Sequence, residues 1–292
     1  MTNNQGIRLD SSGYITIAPL NQLALNLAGF WLSVAAFIGA TVSQTVFSIT
    51  EGQGRPLMVL HGWGMNQQVW QPIREYLSQR AQVTWVDLAG HGQSTSTHLG
   101  TIDQLVDVLK PLIQPNTCII GWSLGGLVAQ ALAYALPDQV ARLVLIGSSP
   151  CFIQKPHWHN ALAPEVLQQF ATNLETNYEA TVKRFFALQF MGTRHDPAEL
   201  NRLRDNILHY SARLPALHEG LEMLRDLDYS EQILPVPSIW VLGRLDKLVP
   251  VNVSADLEQK GYKVQVLTHA SHVPFVTHTE EFLQAVEPFI YE

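Results

Sequence analysis

Ser123, Asp246 and His272 lie far apart in the chain, yet each stands just past an apolar run with strand character. Ser123 centres Gly121-Trp122-Ser123-Leu124-Gly125, between the run Thr117–Gly121 and the helical pattern Leu124–Leu136. Strand, G-x-S-x-G and helix in this order describe a sharp turn that lifts a serine above a sheet. Glycine loses the most backbone freedom on folding, so three glycines in "GWSLGG" mark geometry that larger residues cannot reach. A serine hydroxyl becomes a nucleophile only when a base takes its proton. In this arrangement the acid and the base follow the serine in chain order. Asp246 in "GRLDKLVP" follows the run Pro237–Leu242, and His272 in "THASHVPF" follows Lys263–Leu267. The expected chemistry is acyl transfer, with Ser123 as nucleophile, His272 as base and Asp246 as the acid that orients it.

Neighbouring residues of the same types fit plainer roles. His269 lies closer to its strand end and His278 opens the next helix, which suits solvated or capping positions. Asp87 precedes the serine and is expected to brace the "DLAGHG" loop. A tetrahedral oxyanion needs donors, and "LHGWG" at 60–64 closes an early strand where a loop can present a backbone N–H. Trp63 N–H and Leu124 N–H are the expected pair. Loss of one such donor costs about 2.7–4 kcal/mol in the barrier. His61 could pair with His91, or with His269 and His272, around a metal, but no Cys, Asp or Glu completes a ligand set at a familiar spacing. No metal and no cofactor are therefore expected.

The elements that must hold these residues follow a regular plan. Strand-like runs stand at Thr45–Ile49, Pro56–Leu60, Gln82–Val86, Thr117–Gly121, Ala141–Gly147, Pro237–Leu242 and Lys263–Leu267, with helical patterns between most of them, Thr279–Tyr291 being the last. Buried strands alternating with helices imply a mostly parallel sheet covered on both faces. Between Pro150 and Leu234 the strand signal vanishes and helical runs replace it, such as Pro164–Asn173, Tyr178–Gln189 and Pro197–Ser211. The expected organisation is an N-terminal extension over 1–44, an α/β core over 45–150 and 235–292, and a helical cap over 151–234, above the strand ends where α/β folds place their sites.

Composition narrows the function classes. The chain has 292 residues, 47% of them hydrophobic, enough for one large core with an insertion. A net charge of −7 argues against nucleic acid as the main partner. Cys118 and Cys151 fall in or just after buried strands and are expected to be core thiols, which fits a reducing compartment. From Ser11 to Thr50 there is no charged residue, and the 19 residues 24–42 are mostly apolar. Three readings fit: a membrane tether, a degenerate export signal, or a non-catalytic extension from an upstream start. The extension is preferred, because Asn26, Ser33 and two glycines weaken a span and Arg8 alone is a poor signal-peptide start.

From about Thr45 onward the chain resembles the α/β-hydrolase superfamily, and within it the esterases that demethylate pimeloyl-[acyl-carrier protein] methyl ester in bacterial biotin synthesis. The stretches that carry the resemblance are "VLHGWGMN", "VDLAGHGQS", "GWSLGGLVAQ", "GSSPCF", "RFFALQFMGT", "LDKLVP" and "SHVPF". The serine turn and the acid and histidine loops are shared across the superfamily, whereas "GWSLGGL", "SSPCF" and "RFFALQFMG" are much narrower. The resemblance implies a cytoplasmic monomeric serine carboxylesterase whose partner is an acyl-carrier protein. It implies an acyl pocket lined by Trp63, Leu124, Phe185, Phe186, Ala187, Leu188 and Gln189, with Ser123 and His272 at its end. Ordinary packing inside the cap is the alternative account of Phe185, Phe186 and Leu188. Ala89 stands where the family's "DxPGxG" loop has proline.

The family grips its acidic carrier with cap arginines. Arg184 matches one of them, and Arg194, Arg202 and Arg204 lie nearby. Residues 183–204 hold five basic side chains against two acidic ones, a net charge of +3 on an acidic chain. Such a patch suits an acidic partner, with a solvated helix face as the alternative. The alternative function is a general short-acyl carboxylesterase, or a C–C-bond hydrolase with the same three residues and no carrier. A non-catalytic ligand receptor is a third reading, set against the intact serine, histidine, aspartate and oxyanion loop. Dehalogenase and epoxide hydrolase chemistry would need an aspartate at position 123.

Overall fold

The structure is a computed structural model that describes residues 7–9, 15–17, 40–42 and 46–291. The chain divides into two compact units, 1–41 and 42–292. In the first, β1 (Ile7–Leu9) pairs antiparallel with β2 (Ile15–Ile17). The three-residue strand β3 (Ala40–Val42) falls at the junction of the units. Most of the apolar stretch 24–42 lies outside the described residues, as does most of the extension 1–44. Among the described residues no helix is long and apolar enough to cross a membrane.

In the second unit seven strands stand side by side: β4 (Phe47–Glu51), β5 (Pro56–Leu60), β6 (Gln82–Asp87), β7 (Thr117–Trp122), β8 (Val140–Ile146), β9 (Ser238–Gly243) and β10 (Lys263–Leu267). Their order is β10-β9-β8-β7-β5-β6-β4. Only β4 runs antiparallel, with Phe47 opposite Asp87; the other neighbours are parallel. Each strand of the expected set is present, Pro56–Leu60 and Lys263–Leu267 with the expected bounds and the others with ends shifted by no more than two residues.

The inner strands of the sheet are buried on both faces, and their residues alternate between two cores, as a period of two dictates. Ile119, Leu143 and Leu145 pack with Leu105, Leu127, Val128 and Leu132 of α2 (Ile102–Leu109) and α3 (Leu124–Ala135). Ile120, Val144 and Ile146 pack on the other side with Ile73 and Leu77 of α1 (Gln71–Ser78) and with Phe282 and Val286 of α10 (Thr279–Tyr291). Near-continuous apolar strands are the signature of this two-sided cover.

The chain leaves β5 for β6 on one side and returns to β7 on the other, so the direction of winding reverses between β5 and β7. The crevice beyond the carboxyl ends at such a reversal is where open α/β sheets bind ligands. Between β8 and β9 the chain forms four helices: α4 (Pro164–Thr176), α5 (Tyr178–Leu188), α6 (Pro197–His209) and α7 (Leu214–Asp226). The sequence pattern marks the first three. The fourth starts on Arg213 with Pro215 in its first turn, where proline is tolerated, and carries Gly220 in its interior, which weakens its helical signal. Two short helices, α8 (Val253–Gln259) and α9 (Pro274–Thr277), follow β9 and β10.

Candidate active site

The carboxyl ends of β5, β7, β9 and β10 deliver the loops that carry every chemical group of interest. β7 ends at Trp122, and Ser123 follows with φ +55° and ψ −119°, before α3 begins at Leu124. A non-glycine residue in that region is strained and needs its surroundings to hold it. Here the Ser123 N–H donates to the Ile146 carbonyl (2.9 Å), and the Ser123 carbonyl accepts from Gly126 N–H (2.9 Å) and Ser148 Oγ (2.9 Å). Gly125 has to be glycine: a Cβ there would lie 2.4 Å from the Leu60 carbonyl oxygen and 2.5 Å from that of His61. The turn and the end of β5 are in direct backbone contact, which brings the serine beside the "HGWG" loop.

Asp246 and His272 come from the loops after β9 and β10 and meet in the interior. Asp246 Oδ2 accepts from His272 Nδ1–H at 2.7 Å. The other carboxylate oxygen accepts from the Leu248 (2.7 Å) and Val249 (3.0 Å) N–H groups, so the acid is held in one orientation. The Trp122 indole N–H donates to the His272 carbonyl (2.9 Å), and the His272 N–H donates to the Gln189 carbonyl (3.2 Å) at the end of α5. With its proton on Nδ1, the ring leaves Nε2 as an acceptor. Nε2 is buried with no hydrogen-bond partner among the described residues, Ser123 Oγ included. Catalytic hydrogen bonds are often loose in the absence of substrate. Ser123 itself is 5% exposed.

Trp63 and Leu124 are both buried, and neither backbone N–H has an acceptor among the described residues. Two histidines that the sequence suggests only as metal-ligand candidates hold the loop around Trp63. His61 Nδ1–H donates to the Gly62 carbonyl (2.8 Å), and His61 Nε2 accepts from Leu88 N–H (3.0 Å). His91 Nδ1–H donates to the Ala89 carbonyl (3.0 Å), and His91 Nε2 accepts from Gly64 N–H (3.3 Å). Burial, and for His61 also the neighbouring His91, lowers these imidazoles to about 3 and about 4, so both are neutral. Asp87 accepts from Gln67 N–H (2.7 Å) and Gln93 N–H (2.9 Å) and so ties the 87–93 turn to the 61–67 loop; its own burial pushes its carboxyl up. His269 is exposed, and His278 Nδ1 hydrogen-bonds Thr277 Oγ1 (2.8 Å) at the start of α10.

The insertion closes over this loop. Trp63 Nε1–H donates to the Leu217 carbonyl of α7 (2.8 Å), and Phe170 and Phe185 meet the indole edge-on, with centroids 5.2 and 4.8 Å away. Gly220 of α7 lies close against the indole: a Cβ there would come within 2.7 Å of Trp63 Cδ1. Of the five residues 185–189, Phe185 faces Trp63 and Gln189 is buried with both side-chain amide atoms unpartnered among the described residues. Phe186 instead packs on Phe190 (5.1 Å), and Ala187 is exposed. Phe170, which the sequence did not single out, lines a groove of about 710 Å³ between α4 and α5 together with Phe185, Leu188 and Arg184.

The four arginines do not form one cluster. Arg184 borders that groove, while Arg194 and Arg202 border a second one of about 820 Å³ with His195, Asp196 and Glu199. Arg204 is tied to Asp205 at 3.0 Å, and Asp205 offsets part of the positive charge of the patch. Neither groove is lined by Ser123 or His272.

A strained serine turn at the winding reversal, a buried aspartate–histidine pair and a glycine-bearing loop against the serine are features by which an α/β-hydrolase site is recognised. A sequence profile described as the alpha/beta hydrolase fold matches residues 55–279, and the chain belongs to that family. In fold it is similar to an esterase from Exiguobacterium antarcticum (TM-score 0.77, 19% identity, 87% of this chain and 98% of that one). It is likewise similar to a bromoperoxidase from Bacillus anthracis (TM-score 0.75, 18% identity, 85% and 95%). Within the family it belongs with the pimeloyl-[acyl-carrier protein] methyl ester esterases. Proteins of that name are 38% identical over 247 residues in Pseudoalteromonas atlantica (82% of this chain, 95% of the relative) and 41% identical over 249 residues in Shewanella woodyi (82% and 95%).

Proposed function

We propose that this chain hydrolyses the methyl ester of pimeloyl-[acyl-carrier protein], releasing methanol and the carrier-bound free acid for biotin synthesis. The observation that carries the reading is the buried Asp246–His272 pair, with Nε2 left as a free acceptor, in a member of this esterase family. His272 Nε2 takes the Ser123 proton as Oγ attacks the ester carbonyl carbon. Trp63 N–H and Leu124 N–H hold the oxyanion, with Leu124 at the positive end of α3. His272 then gives its proton to the departing methoxide, and methanol leaves. Water, deprotonated by the same nitrogen, opens the acyl-serine, and Ser123 recovers its proton. Asp246 keeps the ring in the Nδ1–H form and stabilises the imidazolium that forms in each half.

In this reading residues 151–234 are a cap whose Phe170 and Phe185 wall the acyl chain against Trp63. Arg184, Arg194, Arg202 and Arg204 face the acidic carrier, and the chain acts as a cytoplasmic monomer. A general short-acyl carboxylesterase is the second reading. It is favoured by one observation, the division of the arginines between two grooves.

Purified enzyme, assayed on the carrier-bound methyl ester and on free short-chain methyl esters, separates the two. Preference for the carrier-bound ester, together with rescue of a biotin auxotroph lacking its esterase, is the expected result. Equal rates and no rescue would favour the general esterase. Ser123→Ala should keep the fold and lose nearly all turnover, with a residual acceleration of about 10³–10⁴ over water from binding and the oxyanion donors.

A further inference from the structure

His61 and His91 are fully buried, lie outside the Ser123, Asp246 and His272 set, and touch the backbone on both sides of Trp63. An amide N–H can only donate, so the bond from Leu88 N–H fixes His61 Nε2 as the acceptor and places the ring proton on Nδ1. That Nδ1–H donates to the Gly62 carbonyl at 2.8 Å, and the same carbonyl accepts from Met65 N–H at 3.3 Å. The Gly62 carbonyl and the Trp63 N–H belong to one planar trans peptide unit, so the N–H points directly away from the C=O. Two donors on Gly62 O therefore aim the Trp63 N–H. The next peptide unit is pinned at its other end, where Gly64 N–H donates to His91 Nε2 at 3.3 Å. His91 is steadied in turn by its Nδ1–H bond to the Ala89 carbonyl, and the two rings lie 5.3 Å apart.

We infer that His61 and His91 are positioning residues of this enzyme: two neutral imidazoles that fix the peptide units on either side of Trp63 and thereby hold its N–H on the oxyanion. The inference rests on the proposed mechanism, in which that N–H is an oxyanion donor. The two rings act through different atoms. His61 works on the Trp63 peptide through a donor at Nδ1, whereas His91 works through an acceptor at Nε2. An asparagine amide nitrogen can stand near the Nδ1 position and a glutamine carbonyl oxygen near the Nε2 position. The substitutions that preserve function at the two sites are therefore opposite.

The test measures kcat, KM and melting temperature for His61→Asn, His61→Gln, His91→Asn and His91→Gln on a p-nitrophenyl ester. His61→Gln and His91→Asn should lower kcat by about 10²–10³ with KM nearly unchanged, while His61→Asn and His91→Gln keep most of it. Affinity for a boronic acid, which forms a tetrahedral adduct on Ser123, should fall in step with kcat. Equal losses in all four variants, or losses that follow melting temperature or KM instead, would overturn the inference. If one substitution at a site prevents folding, the Asn and Gln pair at the other histidine decides, read in boronate affinity as well as kcat. Ser123→Ala in the same assay keeps the two ideas apart: full activity there defeats the proposed mechanism whatever the histidine pattern.

Discussion

The N–H of His272 donates to the carbonyl of Gln189 across 3.2 Å, so the histidine loop and the last turn of α5 share a hydrogen bond. The same histidine gives its ring proton to Asp246 and receives the Trp122 indole N–H at its carbonyl. Acid, serine strand and insertion each hold it from a different direction. In the proposed mechanism this fixed ring is the group that receives the Ser123 proton.

Asp246→Asn tests the acid. The carbonyl oxygen of the new side chain could still accept from the Leu248 and Val249 N–H groups, so the loop should fold. Its amide nitrogen would then face His272 Nδ1 with a donor and favour the wrong tautomer. Turnover should fall by about 10⁴, as in other enzymes with this arrangement, with KM little changed. Steady-state kinetics on a methyl ester read both constants, and a loss confined to KM would contradict the assignment.

Gly220→Ala tests the contact of α7 with Trp63. Alanine is the better helix former by about 1 kcal/mol, yet its Cβ would sit 2.7 Å from the indole Cδ1. Overpacking of this kind costs about 1–3 kcal/mol. The variant should melt at a lower temperature and turn over more slowly, since α7 and the Trp63 indole must move apart and Trp63 carries the proposed oxyanion donor. Calorimetry and kinetics on the same sample check the pair of effects.

Glu219 ties the insertion to the core. Its carboxylate accepts from Leu99 N–H (2.6 Å), Gly100 N–H (3.0 Å) and His98 Nδ1–H (2.6 Å). Partial burial alone would raise this carboxyl, but the Gly100 amide, His98 and the Leu99 amide together outweigh it and hold it below its ordinary value. A carboxyl depressed in the folded state contributes stability above its unfolded pKa and loses it as pH falls through the folded one. Glu219→Gln should therefore lower stability at neutral pH, flatten the acid limb of the stability profile, and change little once the pH has fallen below the depressed folded value. Hydrogen exchange at Leu99 and Gly100 should quicken at neutral pH.

Charge reversal at Arg184, and separately at Arg202, tests the carrier surface. If both groove rims meet the carrier, each change should slow turnover of the carrier-bound ester, mainly through association, and the loss should shrink at high salt. A free methyl ester should be hydrolysed almost as before. Loss from Arg184→Glu alone would restrict docking to the groove between α4 and α5.

The serine turn, the acid and the histidine were legible because each is announced locally, by an apolar run that stops at a loop with a reactive side chain. The lining expected for an acyl pocket was less legible, for a geometric reason. Residues 185–189 are consecutive in and just after a helix, and successive side chains there turn by about 100°. They cannot all face one wall: Phe185 meets Trp63, Phe186 goes to the opposite core and Ala187 meets solvent. Phe170 reaches the same indole from another helix, and no spacing rule links position 170 to position 63. The work of His61 and His91 was hidden for a related reason. Their partners are peptide groups of loops that approach only after the sheet has formed, and peptide groups leave no mark on residue type.

Trp63 carries a donor on its backbone and a wall on its side chain, with Phe170 and Phe185 leaning on that wall. In the proposed mechanism an acyl chain that presses on the indole also bears on the peptide that must catch the developing charge. A chain of the wrong length or bulk would shift that peptide and lose rate after it has bound. Selection among esters would then take place on the way over the barrier, and poor substrates would be held without being turned over quickly.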